Sequence, residues 1–256
     1  MNEIPKNIQE ILNQSINKLD RPVNEVISEL KKERDKEFSD FEYWFGLETS
    51  NPERYNEIDE IANQTGHSLQ IQMREHIESA LYVEDELLAL LEMKIIYAFK
   101  HLEINTKKLI FHFYNELPNP KPKWHEMIDF LKKKNIPVKE LNGYTEANQL
   151  RLVNNSLKHS HQSVDKSLIE IEEFRNGSIQ NFESLESFYE RVVDSPSIFF
   201  CDLLEKVEKE VNDFNELKIK KIAEKATNRM NKETAEKLIS EIKQKYKITT
   251  PNNNHN

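Results

Sequence analysis

Apolar residues recur along most of this chain every three or four positions, the spacing that paints one face of an α-helix. Residues 3–18 place Ile4, Ile8, Leu12 and Ile16 four apart, with Ile11 widening the stripe. Asp20 and Pro22 mark a stop and a fresh start. The next helix is expected from Val23 toward Phe45, with Val26, Ile27 and Leu30 early and Phe38, Phe41, Trp44 and Phe45 late. In SNPER, Asn51 suits an N-cap and Pro52 the first helical position. From Gly66 to Met73 the pattern is ambiguous, because Leu69, Ile71 and Met73 alternate while the residues after them suit a helix.

Apolar density rises between Glu84 and Leu117. Leu87, Leu88, Leu91, Ile95, Ala98, Phe99 and Leu102 form a broad face continued by Leu109, Ile110, Phe113 and Tyr114. This is the expected central core helix, with a kink or break near Asn105–Thr106. Three prolines in PNPKPKW end it. A short helix over HEMIDFLKKKN follows and stops before Pro137. NGYT then reads as a turn, with Thr145 as N-cap of a helix reaching His161. Beyond it the pattern is less regular and FRNGSIQNF reads as a loop. A helix restarts at Ser195–Pro196, and residues 216–247 predict one or two amphipathic helices.

Composition sharpens this picture. Only four glycines occur in 256 residues, which argues against turn-dense β architectures and glycine-rich phosphate loops, so an all-α fold is expected. The net charge of -9 repels phosphate backbones overall. The distribution is uneven, however: residues 216–247 hold ten Lys/Arg against five Asp/Glu, a local +5. Such a run is ordinarily a solvated helix face and alternatively an RNA or partner surface. Cys201, the lone cysteine, admits no intrachain disulfide and reads as a small core residue. MNEIPKNIQEILNQ has no basic region followed by an apolar core, and LLALLEMKIIYAFKHLEI is interrupted by Glu92, Lys94 and Lys100. A cytoplasmic protein with no membrane association is expected.

Candidate chemistry gathers in RLVNNSLKHSH, residues 151–161. At about 100° per residue, Arg151, Asn155 and His159 make an i, i+4, i+8 stripe. Asn154 and Lys158 share a neighbouring face, while Leu150, Val153 and Leu157 mark the buried side. A histidine moves protons near neutral pH, an arginine or lysine holds phosphate oxygens, and an amide orients either. Those parts suit metal-independent cleavage of RNA, in which a 2′-hydroxyl attacks its own phosphodiester. HLE at 101–103 and HEM at 125–127 lack the i, i+4 histidine pair of a helical zinc site. We expect neither metal nor cofactor. His67, His76 and His112 read as structural or exposed, and Lys121 and Lys123 as phosphate contacts or solubilising charges. GxGxxG, GxxxxGK[ST] and GxSxG are all absent, leaving those nucleotide-binding and hydrolase classes unsupported.

The order of elements resembles the HEPN superfamily of small helical domains. The matching pieces are LLEMKIIYAFKHLEINTKKLIF, KWHEMIDFL, EANQLRLVNNSLKHS and PSIFFCDLLEKVEKEV, with NNSLKHS the most specific. In that family the third core helix carries Arg, four to six residues, then His. Here seven residues separate Arg151 from His159.

The resemblance implies a HEPN-like helical core at 80–215. It leaves an N-terminal helical extension at 1–79, a basic amphipathic segment at 216–248 and a disordered tail at 249–256. It further implies a ribonuclease of a phage-defence or toxin–antitoxin system, built as a homodimer and met by a protein partner such as an antitoxin. The implied catalytic residues are His159, Arg151 and Asn155, with Lys158 and Asn154 contacting nucleic acid. Glu103 reads first as a surface carboxylate and would approach the cluster if the core helices pack as in the family. The alternative is a catalytically silent module that binds RNA, nucleotide or a protein partner, with Asn154 and Asn155 bridging helices and His159 capping a helix end.

Overall fold

The computed structural model describes residues 20–159, 168–175 and 179–247. The expected helix at 3–18, the reading of 160–161 and the tail at 249–256 lie outside the described residues. All regular structure among the described residues is helical. No helix there is long and apolar enough to cross a membrane. The chain divides into two compact units, 1–207 and 208–256.

In the first unit α1 (Asp20–Ser50) and α2 (Pro52–Gln64) lead into α3 (Leu69–Tyr114). Asn51 caps α2 by accepting from the Arg54 N–H, and Pro52 takes the first turn. Ser68 resolves the ambiguous stretch after Gly66, since its hydroxyl accepts from the Ile71 N–H and commits Leu69–Met73 to helix. α3 runs 46 residues, about 69 Å at 1.5 Å per residue. The break expected at Asn105–Thr106 does not occur. Both side chains are buried in mid-helix, and the Thr106 hydroxyl donates to the Leu102 carbonyl (2.9 Å), so it never competes for a turn.

Burial along α3 explains its role. From Leu69 to Leu91 the buried positions form a single narrow stripe, and from Lys94 onward all but Leu102 come in adjacent pairs. The first half meets chiefly α1, antiparallel to it, as Lys94–Asn24, Arg34–Glu84 and His76–Glu37 show. The second half meets α4 (Trp124–Lys133) and α5 (Tyr144–His159), and α6 (Phe182–Val192) lies beside the middle of α3, where Leu91 and Lys94 share a pocket with Glu186 and Tyr189. α3 ends where Asn115 adopts a left-handed conformation (φ 50°), just before the prolines.

α6 was not expected, because the stretch before Ser195 reads as irregular. Asn181 caps it through the Ser184 N–H, and Phe182, Leu185, Phe188, Tyr189 and Val192 bury one face. Its polar rim ties it to α1. Glu186 meets Lys31 (2.5 Å), Glu183 meets Arg34 (3.1 Å), and the Tyr189 hydroxyl donates to Asp20 (2.8 Å). Burial pushes the Tyr189 hydroxyl well above its ordinary range, with Asp20 adding to the effect. Burial also lowers the ammonium of Lys94, which sits 4.4 Å from the Tyr189 ring and donates to Asn24.

α7 (Ser195–Asn212) restarts where expected. Cys201 is exposed, a correction to its reading as core: the α7 stripe is Pro196, Phe199, Phe200, Leu203, Leu204 and Val207, and position 201 falls outside it. The turn before α5 also differs from expectation. α5 begins at Tyr144, so Thr145 lies inside the first turn and is not the cap. Instead Asp202 of α7 accepts from both the backbone and the side-chain amide of Asn142 (2.9 and 3.1 Å).

α5 is further fixed by Arg191 of α6, which donates to Gln149 (3.0 Å) and forks onto Glu173 (2.6 and 2.9 Å) in the short 3₁₀ turn Glu172–Phe174. The Arg191 hydrogen bonds hold the Glu173 carboxyl below its ordinary range. A depressed carboxylate adds stability above its unfolded value near 4.5, and that stability is lost as pH falls through the lowered folded value. Glu173→Gln is therefore expected to cost about 1 kcal/mol near neutral pH, a figure discounted for the partial exposure of Arg191. The gap to wild type should close on acidification below about pH 4.5. Urea midpoints across pH measure it, and a gap independent of pH would exclude this origin.

In the second unit α8 (Glu216–Thr227) and α9 (Lys232–Tyr246) form a helical hairpin. Asn215 and Asn231 cap them through the N–H groups of Lys218 and Thr234.

Candidate functional site

The cluster on α5 divides between core and solvent. Asn154 is 1% exposed and Ser156 is also buried, Arg151 and Asn155 are half-buried, and Lys158 is exposed. His159 closes the helix, and its side chain lies outside the described residues. The Arg151 guanidinium donates to Asn148 on its own helix (3.0 Å). The Asn154 amide donates to the Asn155 side-chain oxygen (3.1 Å), a bond between neighbours on one helix rather than a bridge between helices. The Asn154 side-chain oxygen, the Ser156 hydroxyl, the Asn105 side-chain oxygen and the Trp124 indole N–H are buried without a partner among the described residues.

Arg151, Asn154, Asn155 and Lys158 line one cleft of about 260 Å³. Its opposite wall comes from Phe99 and Glu103 of α3 and from Lys123, Trp124 and His125 at the start of α4. Local sequence accounts for each placement. The prolines deliver Lys123 in an extended conformation, where its N–H is held by Glu126 (2.6 Å), and that bond lowers the Glu126 carboxyl. Trp124 packs on Phe99 and Phe199 with ring centres 5.6 and 6.0 Å away, which turns the next residue, His125, to the cleft. Tyr144, pushed up by burial, feels the Arg151 charge from the first turn of α5.

The lining carries Lys123, Arg151 and Lys158 against the single carboxylate Glu103, which is itself engaged by Lys107 (3.0 Å). In a chain of net charge -9 this is a local cationic surface suited to an anion. Four of the five residues singled out on α5 thus meet in one place, and Glu103 joins them. Lys123, read from the sequence as a phosphate contact or a solubilising charge, lines the cleft, whereas His125 was missed because HEM was weighed only as half of a zinc pair. The available signal was Lys-Trp-His at the start of an amphipathic helix. Among the described residues no group of three or more His, Cys, Asp or Glu is arranged to hold a metal ion. No family model, no curated protein and no solved structure matches this chain.

Proposed function

We propose that the chain is a HEPN-like, metal-independent endoribonuclease of the defence or toxin–antitoxin type, working as a cytoplasmic homodimer in which two copies of α5 face each other. The observation that supports this most is the cationic cleft uniting Arg151, Asn155 and Lys158 with Lys123, His125 and Glu103. In this reading Arg151 binds the scissile phosphate and Lys158 and Asn154 hold the neighbouring backbone. His159 takes the 2′-hydroxyl proton as the new phosphorus–oxygen bond forms, and Asn155 orients it. The bond from phosphorus to the 5′-oxygen breaks and that oxygen takes a proton from solvent water, giving a 2′,3′-cyclic phosphate end and a 5′-hydroxyl end. A second reading, a silent module that only binds RNA, nucleotide or an antitoxin-like protein, draws on the seven-residue gap between Arg151 and His159 and on the burial of Asn154 and Ser156.

Labelled single-stranded and structured RNAs incubated in EDTA with wild type and with His159→Ala separate the two. A fragment ladder ending in cyclic phosphates, from wild type only, is expected, together with a dimeric mass by light scattering. Equal background from both proteins would end the enzyme reading.

A further inference from the structure

The α8–α9 hairpin carries an apolar groove of about 660 Å³ that belongs wholly to the second unit. Ile219, Ile222, Leu238, Ile239, Ile242 and Tyr246 line it and remain between 42% and 70% exposed. Neither helix has a single buried residue. Two helices that bury nothing gain little beyond their own backbone hydrogen bonds, and helices of 12 and 15 residues are marginal on those alone. The floor of the groove is small, with Ala223, Ala226 and Ala235, which leaves room for large side chains from outside. Anchors at i, i+3, i+4 and i+7 on both walls are the pattern that receives a third helix.

Charge selects the occupant. At 100° per residue Lys225 and Arg229 run along one edge of the α8 stripe together with Lys218, which is already held by the Glu210 carbonyl and carboxylate, and Lys232, Lys243 and Lys247 run along one edge of the α9 stripe. Of the acidic residues of the hairpin, Glu233 is paired with Lys237 (2.9 Å) and Glu236 is drawn to Lys232 (3.9 Å), while Glu216 and Glu224 fall on the other side of the α8 stripe and Glu241 on the other side of the α9 stripe. A second copy of the hairpin would set one +5 surface against another, an arrangement that like-charge repulsion disfavours. We infer that the groove binds an amphipathic helix of another protein whose apolar stripe is edged by Asp and Glu.

The test uses the full chain and two fluorescein-labelled peptides of about four heptads, both with Leu at the core positions. One carries Glu at the flanking positions and the other Lys. The Glu peptide is expected to bind roughly tenfold or more tighter, with the preference shrinking as salt rises. Ile222→Asp combined with Ile239→Asp should abolish binding while far-ultraviolet circular dichroism is unchanged, since both sites are about half exposed. Lys225→Glu, Arg229→Glu and Lys243→Glu together should reverse the peptide preference. Equal binding of both peptides, or binding of neither, would overturn the inference. So would a self-association, seen by light scattering, that the Ile222/Ile239 pair of substitutions breaks, or a short RNA duplex that competes for the groove.

Discussion

Arg151→Ala is expected to slow RNA cleavage by about 10²–10³-fold, the loss typical of removing one group that stabilises developing charge, while the melting temperature stays within error of wild type. The two halves of that expectation have separate origins. The only hydrogen bond of Arg151 in the described structure reaches Asn148, three residues away on the same helix, and a half-buried intrahelical bond of that kind contributes little to stability. Its charge, in contrast, lines a cleft with two other cations, where a scissile phosphate would gather negative charge in the transition state. Single-turnover cleavage of a defined RNA, beside thermal denaturation, reads both. A variant that melts early and cleaves normally would move Arg151 to the structural side. Because Lys cannot fork onto two phosphate oxygens, Arg151→Lys should recover only part of the rate.

Gly143→Ala is expected to destabilise the first unit by about 2–4 kcal/mol, enough to be obvious in a urea titration. Gly143 sits at φ +74°, where an L side chain is strained. A Cβ there would also lie 2.6 Å from the Ser195 carbonyl oxygen and 3.1 Å from the Phe199 nitrogen. Both are backbone atoms of the first turns of α7, so the clash cannot be relieved by turning a side chain. α5 and α7 must part, and Trp124, whose ring lies 6.0 Å from that of Phe199, must follow. Gly66→Ala is the internal control: its φ is +83° but nothing lies within 4 Å of the added atom, so only the conformational cost of about 1 kcal/mol should appear. Equal losses at the two glycines would mean that α7 retreats freely.

The contrast between these glycines also shows where sequence reading stops. NGYT announces a turn, but nothing in those four letters says that the backbone of residues 195–199 passes beneath it. Helix existence was legible where a repeating apolar stripe followed a proline start, as at Asn51–Pro52 and Ser195–Pro196, but not at α6, whose stripe and Asn181 cap follow an irregular stretch. The supposed break at Asn105–Thr106 failed because two polar residues within an apolar run look like an interruption. Yet threonine can return its hydroxyl to its own helix and be buried at no loss of continuity. Cys201 failed for a related reason: residue type suggested burial, whereas its angle around α7 decides exposure. Of the candidate site, the α5 residues were legible because helical spacing alone groups them. Lys123 was legible only as a loop cation that could contact phosphate, and His125 not at all, because their place beside α5 depends on the packing of Trp124 on Phe99 and Phe199.

The order in which the chain emerges during synthesis gives the α1–α6 contacts another meaning. α1 and the first half of α3 are separated by a short connection and can pair as soon as both exist. The Tyr189–Asp20 bond, by comparison, spans 169 residues and the Lys31–Glu186 pair 155. Closing a loop of that length brings its entropy cost before any reward, which makes α6 a late-docking element. Until Phe182, Leu185 and Phe188 arrive, the flank of α1 and α3 that they seal stays open to water and to other nascent chains.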